Sequence, residues 1–249
     1  TAAEFARFSE SDAAAYRRLI ADYAEVAPVF SAASYTPIGF GPSLAERLAD
    51  HPDGAVWQRR IALSAWDIIR GSFEHERSRA FLLWMAMMTM VPSEQAMSGR
   101  LAYSLVAGRQ KWSWTLPEGG SAALPDALAR YIEANGGAIR TGSWVKRLIV
   151  EGGRCVGVEC AGGSVHRARK AVVSTIHVKD LVGMAAEEAW PRPFKEAVDS
   201  WQSGIAMFAA HYATRAPLAF DVHGETLTPS AVGIMPSVDR ALQVGSDVA

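Results

Sequence analysis

This 249-residue sequence offers almost nothing for covalent or metal-based stabilisation. Its two cysteines, Cys155 and Cys160, stand five positions apart with no second pair. A zinc cluster is therefore short of ligands, a disulfide framework is not expected, and no metal site is expected. A reducing cytoplasm is the expected compartment. An excess of one charge is missing too: 25 basic residues meet 26 acidic ones, for a formal net charge of −1. That balance gives no electrostatic footprint for nucleic acid, which is not an expected partner. Nor is there a long hydrophobic run. The longest, Ala80 to Val91, is twelve residues, against the roughly 20 a membrane-spanning helix needs. It reads as a buried helix, with an apolar tunnel wall or a peripheral membrane contact as alternatives. Residues Thr1 to Arg7 lack the basic and apolar regions of a signal peptide. No Ser-His-Asp or Cys-His order is present. His75 between Glu74 and Glu76 is no metal pattern, because adjacent helix residues point in different directions.

What is present suffices for real cores, since 49% of the residues are hydrophobic and the length allows one large or two modest domains. Residues 1 to about 117 read as mainly helical. Ser9 and Asp12 have the spacing of a helix start, and Ala15, Leu19, Ile20, Tyr23, Ala24 and Val26 follow near helical period up to Pro28. Short helices broken at His51-Pro52-Asp53-Gly54 come next, then helices over Ser64–Arg70 and Ser78–Val91, the latter limited by Pro92.

From Leu116 to Lys179 the pattern changes. Gly119-Gly120-Ser121 precedes a helix with Leu124, Ala127, Leu128, Tyr131 and Ile132 on one face, stopped at Gly136-Gly137. Pro125 places its start a residue or two after Ser121. Ala138–Thr141 reads as a short strand. Trp144–Val150, Arg154–Cys160 and Val165–Arg169 read as a three-stranded meander, because two-glycine turns separate the runs and Val156, Val158 and Cys160 alternate. Ala171–Thr175 reads as a buried parallel strand. Beyond Leu181, a helix near Phe194–Trp201 and a strand over Ile205–Thr214 are expected, with His211 and Tyr212 on opposite faces of that strand.

The run from Gly119 through Val145, continued by Val145–Cys160 and Ala171–Thr175, resembles the phytoene-desaturase and amine-oxidase-like flavoproteins. Within them it is most similar to the phytoene-dehydrogenase-related, pyridine nucleotide-disulphide oxidoreductase-like group. The resemblance is specific over about residues 100 to 210 and diffuse elsewhere. It implies a mixed α/β fold: a partial Rossmann-type FAD domain carrying an antiparallel meander, interleaved with a helical and β substrate domain. Residues 1–117 and 181–249 would then belong to the substrate domain, and 118–180 to the middle of the FAD domain. It implies an FAD-dependent desaturase or dehydrogenase acting on a hydrophobic small molecule, the flavin accepting a hydride while the protein orients the substrate. An amine-oxidase-like substrate stays open. So does a non-catalytic chain or one subunit of a split flavoprotein.

By the same resemblance, the backbone at Val145 contacts adenine, Ser174 and Thr175 pass close to the dinucleotide, and Gly119 and Gly120 lie near the flavin. The family's glycine loop, whose amides hold the pyrophosphate, has no counterpart here, since Gly39 to Gly41 is too short. The chain begins at Thr1 and stops at Ala249, so an internal fragment is the expectation, with bare strand edges covered by self-association or a partner chain. An apolar pocket containing some of Trp84, Met88, Trp112 and Trp114 is expected, although core packing accounts for each taken singly. His177 is the best-placed ionisable group beside a flavin. No catalytic residue can be named.

Overall fold

A computed structural model describes residues 1–37, 39–113, 115–204, 206–229 and 232–246. Along the chain come α1 (Ala2–Ala6), α2 (Glu10–Ser34), α3 (Leu44–Ala49), α4 (Gly54–Ala62), α5 (Ala65–Ser72), α6 (Glu76–Met87), α7 (Leu101–Trp112) and α8 (Ala123–Ala134). There follow β1 (Val145–Glu151), β2 (Arg154–Cys160), β3 (Val165–Arg167), α9 (Val178–Leu181), α10 (Arg192–Asp199), β4 (Phe220–Val222), β5 (Glu225–Leu227) and α11 (Val238–Ser246). They divide into two compact units, one from residues 1–114 and 204–249, the other from 115–203. The fold is mixed, helices with small antiparallel sheets.

The 115–203 unit is built on the expected meander. Glu151 pairs with Arg154 across a two-residue turn in which Gly152 and Gly153 have φ of 56° and 75°. Such a turn demands positive φ at both centres and matches strand twist. Strand β2 pairs on both sides, β1–β2–β3, and Gly157 lies so near β3 that a Cβ there would meet the His166 carbonyl at 2.4 Å. Helix α8 begins at Ala123, so Pro125 falls in the first turn, where its missing N–H goes unnoticed. It ends as expected: Gly136 has φ of 78°, and the Gly137 amide donates to Ile132 O at 2.9 Å. The flanking strands are corrected. Neither 138–141 nor 171–175 pairs with any strand among the described residues, and Val173 is 90% exposed. An extended segment gains ladder hydrogen bonds only from a neighbour, and none lies beside these. The described residues contain no parallel strand pair. Residues 206–214 likewise carry no strand, while Ile205 lies outside the described residues. The nearby strands are instead β4 and β5, a hairpin turning at His223 and Gly224, both at positive φ.

The other unit is a helical assembly around α2. Its first turn is capped by Ser9, whose hydroxyl accepts from the Asp12 amide at 3.1 Å. Pro28 does not end α2, which runs on to Ser34. An internal proline costs about 3 kcal/mol. On either side of it, however, Val26 and Phe30 are fully buried, and Phe30 packs edge-on to Trp57 at 5.7 Å and stacks with Tyr23. Burying each such side chain contributes about 1.5–3 kcal/mol, which outweighs the proline. Helix α6 stops at Met87 rather than Val91, because Met88, Thr89 and Met90 bond three residues back and Met90 takes φ of 60°, turning the chain before Pro92.

One buried charge ties this unit together. Asp12 is 1% exposed, and its two oxygens accept from the Glu74 and His75 amides at 2.8 and 3.0 Å. The start of α6 is thereby pinned to the start of α2. Asp12→Ala should cost about 3 kcal/mol by stranding two part-buried amides, and Asp12→Asn, which keeps one acceptor, about half that. The urea midpoints of the two variants check the order.

Candidate functional site

The five residues assigned by resemblance all fall in the 115–203 unit. Val145 opens β1, half-buried and opposite Cys160. Ser174 and Thr175 are exposed, and the Ser174 hydroxyl accepts from the Ile176 amide at 3.1 Å. Gly119 and Gly120 have φ of 83° and 90° in the exposed loop before α8, and a Cβ on either would meet nothing within 4 Å. None of the five lines any of the principal cavities among the described residues. A dinucleotide needs convergent amides and a walled cleft. As placed, these residues make neither, so they do not fit a flavin nucleotide on their own.

Helix α8 shows why. Its apolar face, Leu124, Leu128, Tyr131 and Ile132, is uncovered, Tyr131 being 71% exposed, and no residue of the helix is buried. The unit does hold a cavity of about 700 Å³, bounded by Lys146, Arg147, Leu148 and Val150 of β1 and by the 183–189 segment. It lies one residue past Val145. His177 spends its ring nitrogen on the amide of Lys179 at the start of α9 and stands edge-on to Trp201 at 6.2 Å.

The other unit holds a groove of about 760 Å³ between α2 and α7. Tyr23, Ala27 and Phe30 of α2 face Ser104, Gly108 and Lys111 of α7 across it, each set recurring at the three- and four-residue spacing of one helix face. Arg100, at the start of α7, holds its guanidinium carbon 5.1 Å from the centre of the Phe30 ring. Of the residues expected around an apolar pocket, Trp84 and Trp112 line different cavities. Trp112 lines this groove, Trp84 lines a separate cavity against Gly233 and Met235, and Met88 packs on the hydrophobic core. Trp114 lies outside the described residues. Among the described residues no metal-ligand cluster occurs and no helix is long and apolar enough to cross a membrane.

Sequence reading missed this groove and Arg100 with it. The available signals were Pro28 and Gly108, each a poor helix residue within a helical run.

Burial pushes the Tyr23 phenol above its ordinary value of 10.0, with Arg100 working against it, and burial likewise raises Tyr16 and Tyr103. The unfolded chain sheds these protons near pH 10, the folded one later. Their contribution is complete below about pH 10 and is lost as pH rises through the folded values. Melting temperature should therefore fall above pH 10, and the fall should be shallower in a Tyr23→Phe/Tyr103→Phe variant. Identical slopes would show that the two phenols play no part.

A family model for flavin-containing amine oxidoreductases matches residues 5–235. Comparison with curated proteins and with solved structures gave no match. The family match takes in both units, the meander and the α2–α7 groove. The chain belongs to the flavin-containing amine oxidoreductase family.

Proposed function

We propose that the protein is an FAD-dependent oxidoreductase of desaturase or dehydrogenase type, acting on a hydrophobic substrate within the phytoene-dehydrogenase-related branch of its family. The match over residues 5–235 carries this reading, because it makes flavin chemistry the family's trade. The α2–α7 groove supports an apolar substrate: its volume of about 760 Å³ suits a small organic molecule, and Phe30, Ala27 and Ala107 supply apolar wall.

The Rossmann-type cofactor domain and the roles of Val145, Ser174, Thr175, Gly119 and Gly120 belong to the same proposal. Because these residues are largely open to solvent, they need a cover before they hold a dinucleotide. A second copy of the chain or a partner chain is the proposed cover. Contiguous apolar surface such as the α8 face is seldom left bare on a monomer.

The test is to mix the purified chain with excess FAD, pass it through gel filtration at several protein concentrations, and record the visible spectrum of each peak. Retained flavin should be sub-stoichiometric when dilute and rise as larger species form. Stoichiometric retention by a monomer would refute the need for a cover. Absence of flavin from every species would sink the FAD assignment. In flavin-loaded samples, anaerobic bleaching of the visible band by an apolar polyene but not by a primary amine is the expected substrate preference.

A further inference from the structure

We infer that the α2–α7 groove binds an amphipathic monoanion, an apolar chain ending in a carboxylate, with Arg100 as the residue that holds the carboxylate. This deepens the reading of that groove as the substrate site and rests on it.

Three arginines of this unit lie over aromatic rings: Arg77, exposed, over Phe8 at 5.1 Å, and the half-buried Arg60 and Arg100, of which only Arg60 has a carboxylate. Arg60 stands 4.7 Å from the Trp57 ring centre and 5.4 Å from that of Tyr103, and its charge is met by Asp22 at 2.9 Å. Arg100 stands in the same way over Phe30, half-buried, and is in no ion pair among the described residues. Partly desolvated cations usually carry a partner. A ligand carboxylate would do for Arg100 what Asp22 does for Arg60, and a planar guanidinium fork suits a carboxylate in two-point contact. The rest of the groove agrees. Its other charged lining residue is Lys111, and no aspartate or glutamate faces it, in a chain with 26 acidic residues.

The groove is also kept open at some expense of helix stability. Gly108 sits inside α7, where glycine costs about 0.5–1 kcal/mol relative to alanine, yet a Cβ there would meet nothing within 4 Å. Space, not a clash, is what the glycine provides. Across the groove, Pro28 interrupts the hydrogen-bond ladder of α2, so it cannot donate to the Ala24 carbonyl, and both residues line the cavity. Arg100 and Lys111 are separated by α7, which at 1.5 Å per residue is about 16 Å long between them. The carboxylate end is thus fixed at one end and the apolar body lies along the small-residue floor.

The test uses three ligands of equal length below their micellar concentrations: dodecanoate, dodecanol and dodecylamine, titrated calorimetrically into the full chain. Dodecanoate should bind at least tenfold more tightly than dodecanol, and dodecylamine most weakly. Arg100→Gln should bring dodecanoate down to the dodecanol value while leaving dodecanol unchanged, and Arg100→Lys should fall between. Gly108→Leu, whose Cβ would meet nothing within 4 Å, should abolish binding of all three without lowering the melting temperature. Equal affinities for dodecanoate and dodecanol, or an unchanged ratio in Arg100→Gln, would overturn the role of Arg100 while leaving an apolar groove. Failure of all three ligands to bind the unaltered chain would overturn both this inference and the reading of the groove as a substrate site.

Discussion

The packing of Tyr23 and Phe30 of α2 against Trp57 of α4 and Tyr103 of α7 is the contact on which the helical unit depends. The rings meet at 5.0 to 6.5 Å in stacked and edge-on pairs. Aromatic pairs at such separations add about 0.5–1.5 kcal/mol beyond the area they bury. The cluster keeps α2 continuous through Pro28, sets α7 alongside it, and gives both Arg60 and Arg100 a ring to lie on. Asp12 acts at the other end of α2, turning the chain from α5 into α6 by its hold on two amides. Beside the aromatic cluster, the groove is the space that Ala27, Ala24, Ala107 and Gly108 leave unfilled.

Local chemistry was the part of the fold legible in sequence. Ser9 caps α2 and the paired glycines turn the meander, because each of these choices is settled within four residues. The capping box of Ser64 and Asp67 shows how complete such local closure is: the Ser64 hydroxyl and amide hold the Asp67 carboxyl below its ordinary value, with Arg70 adding to the effect. Pro28 and Met90 were misread for the opposite reason. The proline tolerates its place only through tertiary burial of Val26 and Phe30, and the end of α6 is set by a positive φ at Met90 that no propensity announces. Strands 138–141 and 171–175 were read from composition, but a strand exists only beside another.

The candidate site divides in the same way. Val145, Ser174 and Thr175 could be named because the family resemblance follows the chain, and the family match upholds the flavin-dependent class. Their exposure was not legible, since it is a matter of tertiary placement. Hydrophobic periodicity in Leu124, Leu128, Tyr131 and Ile132 says that a face is made for burial and is silent on its cover. The groove was illegible from the other direction. Its walls come from helices some seventy residues apart in the chain, and its character lies in an unpaired Arg100, a feature of tertiary placement.

A half-buried cation in a mainly apolar groove changes what the groove can select. Apolar walls discriminate poorly, since one methylene more or less alters binding by only about 1–3 kcal/mol, and they do not distinguish one end of a chain from the other. A cation held on an aromatic ring does both, because an unmatched ligand leaves it desolvated and alone. For the proposed oxidoreductase, acting on a long apolar molecule with many similar carbon–carbon bonds, the difficulty is choosing one bond among them. Anchoring one terminus converts that choice into a distance measured along the groove. Arg100 over Phe30 is placed to supply such an anchor, and the small side chains of α2 and α7 leave the chain free to lie extended from it.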